Sequence, residues 1–467
     1  MIFRHWKGVH PLYSVTRTVI KKGHPLYGYC LDVTSASKRL YNAALFRIRN
    51  RFTGYHKIAL TDNELEVLSE LNELALSGKS KATSTSVLNY NALENLMRVT
   101  KNPDFFSDIL SMQAAQHAVR DAAGDFKNWL KALKAYKKDP SGFLGKPQMP
   151  HYKKAETRTT ELTNQDCRLK DGYLKFPLTD TCLKMGNIPD SAILKCVKIK
   201  PYYEGFLILC SYETEDITAN ADYPFMAGID FGVDNIAAIT TNEGHALLFK
   251  GGVVKAENQY FNKERARLIS CVTKGHETTH AVSTHRLSRL SAHRDAFLRD
   301  EMHKISNRIV EFCKEHRIGT LVLGVNKLWK RDSNLGDSNN QNFVQIPFAA
   351  LRFMITYKAE RAGITVVEQE ESYTSKSDFL SGDTIPTYGV DDSNVSFSGS
   401  RVHRGLYKSG TGVYVNADLN GAANILRKAI PYAFDKVEDF AYLQNPKVIR
   451  FSDLNRKGKP DEGVVAA

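Results

Sequence analysis

An apolar stretch with an acidic residue between two glycines constrains this chain most strongly. Residues 228–240 are mainly apolar, and Asp230 lies near their start. A short apolar run bounded by turn residues is typical of a buried strand. The turn signal at 241–244 and the apolar residues at 246–249 then predict a hairpin. We therefore expect a buried strand that presents one carboxylate at its edge.

A second acidic residue occupies a comparable position far along the chain. Asp418 ends an extended run that includes Val415 and begins an amphipathic helix that continues to Leu426. Carboxylates at the ends of separate elements can meet in a folded protein, and their oxygens are the ligands that hard divalent cations prefer. Asp230 and Asp418 thus offer the start of a site for metal-assisted phosphodiester hydrolysis.

Length and charge narrow the choice of partner. The chain has 467 residues, enough for two or three cores, and its 42% hydrophobic content is sufficient to build them. Its formal net charge is +13, with basic residues in excess in most segments rather than in one tail. Such a balance favours a polyanionic partner, most commonly nucleic acid. An ordinary basic globular protein is the alternative that charge alone leaves open.

The cysteines and the N-terminus indicate an intracellular protein. The seven cysteines are scattered without a Cys-x-x-Cys pair, which is typical of reduced thiols in the cytosol. The first seven residues lack the apolar segment of a signal peptide, and no apolar run approaches membrane-spanning length. We expect an intracellular, soluble protein with no membrane contact.

Hydrophobic periodicity divides the chain into three blocks. A strand is predicted at 13–20, followed by helices from Thr34 to about residue 138. A basic connector that contains prolines, 137–150, precedes several strands between 155 and 222. The first strand and these later strands can share one barrel, with the helices inserted between them. After residue 223, strands and helices alternate in an α/β order.

Basic residues offer candidate contacts with a phosphate backbone. Arg47 and Arg51 lie among aromatic residues on the helix predicted from Thr34, and residues 257–317 are helical and rich in Lys, Arg and His. Such surfaces suit RNA or DNA. Amphipathic helix packing and a solvated helix face are the alternatives that the pattern leaves open.

One zinc motif occurs without its usual context. Residues 276–280 have the pattern His-Glu-x-x-His, in which two histidines one helical turn apart bind zinc. The flanking residues are polar instead of apolar, and no third ligand is evident. We therefore expect no zinc at this motif.

The third carboxylate of a two-cation site is not fixed by these patterns. Glu368, Glu370 and Glu371 follow the predicted strand 364–367 directly, so one of them can lie at a strand end beside the aspartates. A cluster of acids after a strand is more often a solvated loop. Both alternatives stay open at this point.

Five motifs, in order, resemble those of one known family. They lie at 228–232, 324–330, 342–348, 371–376 and 416–422. Together they are similar to TnpB, the RNA-guided nucleases encoded by insertion sequences and related to type V CRISPR effectors. The resemblance is dense over 223–430 and weaker at 113–116 and 145–147. Several motifs in the same order are more specific than any one alone.

The resemblance implies a mixed fold of α/β, β-barrel and helical lobes. In this family a RuvC-type, ribonuclease-H-like nuclease domain is preceded by a wedge β-barrel with an inserted helical recognition domain. The implied segments are the wedge barrel at 1–33 and 151–222, the helical recognition domain at 34–150, the RuvC domain at 223–372 and 415–455, a degenerate zinc-ribbon-like insertion at 373–414 and a flexible tail at 456–467.

The resemblance also implies the chemistry and the partners. Asp230 matches the first RuvC aspartate and Asp418 the last. Two Mg²⁺ ions, bridged by Asp230, are expected in a site of three carboxylates. The implied partners are a guide RNA, a double-stranded DNA target beside a short flanking motif, and the displaced single strand. A monomer is favoured.

The middle ligand departs from the family pattern. Most relatives have a glutamate at the end of the strand 321–323, where this chain has Gly324. One branch of the family instead has a glutamate just before Ser-Tyr-Thr-Ser. The resemblance therefore implies Glu371 as the third ligand, with Glu370 and Glu368 as alternatives.

The insertion departs from the pattern as well. Relatives commonly carry paired Cys-x-x-Cys motifs there, whereas residues 373–417 contain no cysteine. We expect a zinc-free remnant whose basic and aromatic residues at 401–407 still help to load single-stranded DNA. The other nucleic-acid contacts predicted with Arg47 and Arg51 are Lys146, Trp329, Lys330 and Arg404.

The predicted function is RNA-guided DNA cleavage by two-metal RuvC chemistry. A nuclease-inactive, RNA-guided DNA-binding repressor is the alternative, because Gly324 replaces a family glutamate. A transposase that transfers DNA strands is a weaker alternative, since the resemblance is to a nuclease that accompanies transposition. A guide from a transposon end and one from a CRISPR array are equally compatible with the sequence.

Overall fold

A computed structural model describes residues 12–78, 85–186, 188–214, 222–274, 282–325, 345–387, 395–403 and 405–455. The chain divides into two units, Met1–Asp216 and Ile217–Ala467. The histidine motif at 276–280, Trp329, Lys330, Arg404 and the tail at 456–467 lie outside the described residues.

In the first unit, an antiparallel sheet joins the N-terminal strand to strands much later in the chain. Its order is β1–β7–β6–β2. The strands are β1 (Leu12–Ile20), β2 (Thr160–Thr163), β6 (Ile193–Tyr202) and β7 (Gly205–Thr214). A separate three-stranded sheet comprises β3 (Arg168–Lys170), β4 (Tyr173–Lys175) and β5 (Cys182–Lys184). The first strand therefore shares a sheet with the later strands, and the barrel and domain limits stay predictions.

Among the described residues, four α-helices lie between β1 and β2. They are α1 (Tyr27–Gly54), α2 (Asp62–Leu76), α3 (Tyr90–Val99) and α4 (Met112–Lys138). Thr61, Asn89 and Ser111 cap the last three helices, since each side chain accepts a hydrogen bond from a backbone N–H of the first turn. The predicted cap at Thr34 is wrong. Its hydroxyl donates to the carbonyl of Cys30 at 2.7 Å, inside a helix that begins earlier.

A mixed six-stranded sheet organises the second unit. Its order is β12–β11–β8–β9–β10–β16. The strands are β8 (Phe225–Asp230), β9 (Asn235–Thr241), β10 (Ala246–Lys250), β11 (Ile318–Val325), β12 (Thr365–Glu370) and β16 (Lys447–Ile449). β8 and β9 are antiparallel, and β8 is parallel to β11. The single strand predicted at 228–240 is therefore two strands, separated by residues 231–234, and Asp230 ends the first.

Helices cover both faces of this sheet. They are α5 (Gly252–Thr273), α6 (His285–Glu315), α7 (Phe348–Arg361), α8 (Ala417–Ala429) and a short α9 (Phe451–Leu454). Apolar residues of α6 and α7 pack on one face, against side chains such as Ile229 and Leu323. α8 packs on the other face, where Leu426 and Ile425 contact Val322. Alternate residues of each strand thus enter different cores. None of the described helices has the length and apolar composition needed to cross a membrane.

The insertion before α8 contains a small antiparallel sheet held by buried polar contacts. Its strands, in order, are β13 (Ser400–His403), β14 (Leu406–Lys408) and β15 (Tyr414–Asn416). The fully buried carboxylate of Asp378 accepts hydrogen bonds from the hydroxyls of Ser381 and Ser409 and from the N–H of Gly410, each at 2.7 Å. Because these donors satisfy a buried charge, Asp378 joins two turns of the insertion.

Candidate active site

Asp230 ends β8, in the middle of the sheet, where α8 approaches the strand closely. A Cβ atom on Gly421 of α8 would lie 2.7 Å from Oδ2 of Asp230, closer than a real side chain tolerates. Glycine at this position therefore lets the first turns of α8 contact the carboxylate. The close packing brings the residues at the start of α8 to the edge where β8 ends.

Asp418 lies in the first turn of α8, and its carboxylate is oriented by neighbours. The side chain of Asn416 caps the helix by accepting a hydrogen bond from the N–H of Asp418 at 3.0 Å. Nδ2 of Asn235 donates to Oδ2 of Asp418 at 2.7 Å. Nζ of Lys250 donates to Oδ1 of the same asparagine at 2.9 Å. Lys250 and the buried Asn235 thus fix which way the Asp418 carboxylate faces.

Glu371 directly follows β12, and its carboxylate lies over Gly324. A Cβ atom on Gly324 would lie 3.1 Å from Oε2 of Glu371 and 3.2 Å from the carbonyl oxygen of Ile229, the residue before Asp230. The same atom would lie 2.6 Å from Cδ1 of Ile425. Glu371 and Ile425 therefore fill the space that a side chain at position 324 would need.

The other two candidate glutamates are placed differently. Glu370 accepts hydrogen bonds from the N–H of Ser372 at 2.6 Å and from Nζ of Lys428 at 2.9 Å. Burial opposes its ionisation, but these bonds outweigh that effect and lower the pKa of Glu370. Glu368 is exposed within β12 and pairs in register with Leu323. Of the three glutamates, the structure brings Glu371 close to Asp230.

Burial and the crowding of negative charge raise the pKa of Asp230. Burial is the largest cause, followed by the carboxylates of Glu371 and Asp418, while the guanidinium of Arg401 opposes the rise. Nη2 of Arg401 lies 3.7 Å from Oδ1 of Asp418. Three crowded carboxylates are an oxygen-rich ligand set whose negative charge Arg401 offsets only in part. The residues present therefore fit a hard divalent cation such as Mg²⁺.

Two asparagines of α8 hold the loop that begins at Glu371. Nδ2 of Asn424 donates to the carbonyl of Thr374 at 2.9 Å, and Nδ2 of Asn420 donates to the carbonyl of Ser377 at 2.8 Å. The hydroxyl of Thr374 in turn donates to the carbonyl of Glu371 at 2.8 Å. The helix that carries Asp418 thus also positions the third carboxylate.

These positioning residues carry no role predicted from the sequence. Asn420 and Asn424 are buried amides one helical turn apart among apolar residues. Because buried amides require partners, that spacing is a usable signal. Asn235 gives no comparable local signal, since its partner Asp418 is 183 residues away.

Two residues predicted to bind nucleic acid lie inside the helical block instead. Arg47 is 7% exposed and forms an ion pair with Glu70. Arg51 is 9% exposed, and its Nε donates to the carbonyl of Thr85 at 2.8 Å. Both guanidinium groups are therefore engaged within the protein, which corrects their predicted role as phosphate contacts.

Of the other four predicted contacts, Lys146 is the one that lies within the described residues. Lys146 is exposed in the connector after α4, where a nucleic acid can reach it. Trp329, Lys330 and Arg404 lie outside the described residues. These four contacts stay predictions.

Comparison with known proteins gives the family. Residues 209–330 match the OrfB_IS605 family, described as a probable transposase, and residues 348–425 match the Cas12f1-like TNB domain. The TnpB-like protein ORF457 of Acidianus two-tailed virus is 28% identical over 223 residues. The chain belongs to the TnpB family. The alignment with ORF457 covers 46% of this TnpB family member and 44% of ORF457, less than half of that relative's length.

Similar solved structures are RNA-guided effector complexes. In the cryo-EM structure of a Cas12f1–sgRNA–target DNA complex, the similar chain is 14% identical. The comparison covers 85% of this TnpB family member and 81% of that chain, with a TM-score of 0.46. In the crystal structure of Alicyclobacillus acidoterrestris C2c1 with single-guide RNA, identity is 9%, coverage is 83% and 69%, and the TM-score is 0.31.

Proposed function

We propose that this TnpB family member is an RNA-guided DNA endonuclease that cleaves guide-complementary DNA beside a short flanking motif. The observation that supports the proposal is the convergence of three carboxylates, from the ends of β8 and β12 and the start of α8, at one edge of the sheet. The net charge of +13 supports nucleic acid partners. In this proposal the guide RNA reads the target by base pairing, and the protein binds as a monomer.

Asp230, Glu371 and Asp418 would hold two Mg²⁺ ions in this proposal. Such ions, when bound, activate a water molecule and stabilise the leaving oxygen of a DNA phosphodiester. Asp230 interacts electrostatically with both other carboxylates, so it would be the central ligand of the site. Asn235 and Lys250 keep the Asp418 carboxylate turned toward the site.

Arg401 of β13 has a supporting role in the proposal. In the metal-free protein its guanidinium faces the carboxylates and is about half exposed. Divalent cations at the same carboxylates would weaken that attraction by like-charge repulsion. The guanidinium would then be available for a phosphate of the DNA strand, which is the strand-loading role expected of the insertion.

A nuclease-inactive RNA-guided repressor is the second candidate, favoured by Gly324 at the position of a family glutamate. To separate the two, the protein is purified with its bound RNA, and that RNA is sequenced. A plasmid that carries the matching sequence beside randomised flanks is then incubated with the complex and Mg²⁺. The endonuclease proposal expects linear plasmid; specific binding without any cut product would overturn it in favour of the repressor.

The matched variants are Asp230→Ala and Asp234→Asn. Asp230→Ala is expected to lower the cleavage rate on the order of 10³-fold, because a metal ligand is lost, while RNA binding is retained. Oδ1 of Asp234 instead accepts a hydrogen bond from Nζ of Lys255 at 2.6 Å. Asp234→Asn should therefore cut at the wild-type rate.

A further inference from the structure

A second cluster of metal-ligand side chains lies at the other end of the strands that carry Asp230. Glu243 and His245 occupy the turn between β9 and β10, and His316 follows α6 just before β11. In the register of β8 and β9, Asp230 pairs with Ala238, whereas the turn lies beyond Thr241, at the beginning of β8. Ala238 and Glu243 are five positions apart, which corresponds to roughly 16 Å of extended chain, so the two clusters are separate.

The three side chains are close enough to share one ion. Nδ1 of His316 lies 3.0 Å from Oε2 of Glu243, and Nε2 of His245 lies 3.8 Å from the same oxygen. One ligand atom from each residue lies within 4.8 Å of the others. Ligands of a tetrahedral zinc ion, at about 2.0–2.1 Å from the metal, are roughly 3.3 Å apart. Small side-chain rotations therefore bring these atoms to coordination distance.

The turn that carries two of the ligands is held rigidly. Gly244 has a φ of +105°, which favours glycine and turns the chain sharply between Glu243 and His245. The N–H of His245 donates to the hydroxyl of Thr241 at 2.9 Å, and the N–H of Thr241 donates to the carbonyl of His245 at 3.0 Å. Because the fold already holds Glu243 and His245 close together, little conformational entropy would be lost when they bind an ion.

The third ligand is also fixed in place. The N–H of His316 donates to the carbonyl of Phe312 at 3.0 Å. The ring of His316 has its centroid 4.5 Å from that of Phe312 and 4.1 Å from that of His245. The imidazole is thus packed between two rings and directed at Glu243.

We propose that Glu243, His245 and His316 form a transition-metal site that binds Zn²⁺. Imidazole nitrogen is a ligand for zinc and not for Mg²⁺, so this site and the carboxylate site select different ions.

Zn²⁺ binding would change the position of a proton on His316 and connect two elements of the fold. In the metal-free protein the carboxylate of Glu243 accepts from Nδ1–H of His316, so coordination through Nδ1 requires that proton to move to Nε2. Three protein ligands leave a fourth position for water, beside a cavity of about 360 Å³ that Tyr442 and Lys447 help to line. The ion would tie the β9–β10 turn to the end of α6.

The test is calorimetric titration of the chelator-treated, full-length protein with Zn²⁺ in excess Mg²⁺. One saturable equivalent is expected, with an accompanying rise in melting temperature. His316→Ala and Glu243→Gln should each weaken binding about 100-fold or more and abolish the zinc-dependent rise. Titration of Co²⁺ should produce visible absorption bands that His316→Ala removes. No saturable Zn²⁺ binding by the wild-type protein would overturn the proposal.

Control variants locate the ion. His293 lies 3.5 Å from Glu257 as an isolated histidine–glutamate pair, so His293→Ala should bind Zn²⁺ like the wild type. Asp230→Ala should also bind normally. Loss of Zn²⁺ binding in Asp230→Ala would assign the ion to the carboxylate site. Loss of Zn²⁺ binding in His276→Ala, together with full binding in His316→Ala, would assign it to the motif at 276–280. Melting of the metal-free variants at the wild-type temperature shows that they are folded.

Discussion

The two ends of the strands in the six-stranded sheet present contrasting ligand sets. At one end, Asp230, Glu371 and Asp418 supply only carboxylates. At the other end, Glu243 is joined by His245 and His316. The first set is suited to hard cations that prefer oxygen, and the second to a borderline cation that prefers imidazole nitrogen. One sheet thus offers two sites whose chemistry differs although their scaffold is shared.

The two ligand sets differ in how unfavourable their electrostatic interactions are when no metal ion is bound. Burial, and then repulsion by the other two carboxylates, raises the pKa of Asp230. At the opposite end burial and the neighbouring His316 lower the pKa of His245, and a hydrogen bond between His316 and Glu243 satisfies both partners. The carboxylate end therefore depends on a cation more strongly than the histidine end does.

The largest expected effect separates two adjacent glutamates. Glu371→Gln should lower the cleavage rate on the order of 10²-fold or more, because it removes a ligand charge, while zinc binding at the histidine end is unchanged. Glu370→Gln should cut almost normally, since Glu370 pairs with Lys428 and Ser372. Plasmid cleavage assays measure both. Wild-type cutting by Glu371→Gln with an inactive Glu370→Gln would show that the middle ligand is misassigned.

A smaller effect is expected from the amide that orients Asp418. Asn235→Ala should lower the cleavage rate about 10- to 100-fold and raise the Mg²⁺ concentration needed for half-maximal cutting. Asn242 is the matched control, because it bonds the N–H of Met226 at 2.7 Å and the carbonyl of Ala433 at 2.9 Å. Asn242→Ala should lower stability without changing the Mg²⁺ requirement. An equal change in the Mg²⁺ requirement of both variants would show that Asn235 contributes only to the stability of the fold.

Packing around Gly324 gives a third prediction. Gly324→Ala should destabilise the protein by about 1–3 kcal/mol and slow cleavage, because its Cβ would collide with Ile425 and press on Glu371. Gly252, the first residue of α5, has no atom within 4 Å of an added Cβ. Gly252→Ala should therefore be tolerated. Thermal melting and cleavage rates test both variants, and unchanged melting of Gly324→Ala would contradict the packing described.

The smallest effect concerns stability without metal. Because the pKa of folded Asp230 exceeds its ordinary value of 3.8, the folded protein holds a proton that the unfolded chain releases, and stability falls as pH rises through that window. Asp230→Asn should therefore raise the melting temperature of the metal-free protein at neutral pH, by about 2–4 °C per kcal/mol. The gain should vanish below pH 3.8, and Mg²⁺ should stabilise the wild type more than the variant. A lower melting temperature for Asp230→Asn at neutral pH would contradict this account.

Local sequence patterns predicted the elements that present two of the three carboxylates. Asp418 begins a helix, as the pattern around it indicates, whereas the single strand predicted at 228–240 is divided after Asp230. The helix predicted from Thr34 began too late, because the threonine hydroxyl is satisfied inside α1 by a carbonyl of the preceding turn. Periodicity along α1 also left two roles open for Arg47, a phosphate contact and packing within the helices. Its burial favours packing.

The sequence alone determined the buried apolar run around Asp230, the helix start at Asp418 and the ligand types, because these depend on neighbours within a few residues. Tertiary structure alone decided which glutamate approaches Asp230, since Gly324 and Glu371 are brought together by the parallel pairing of β11 with β12. It also decided that His316 meets Glu243, which is 73 residues away. Such contacts depend on how separate elements pack, and local periodicity does not encode that packing.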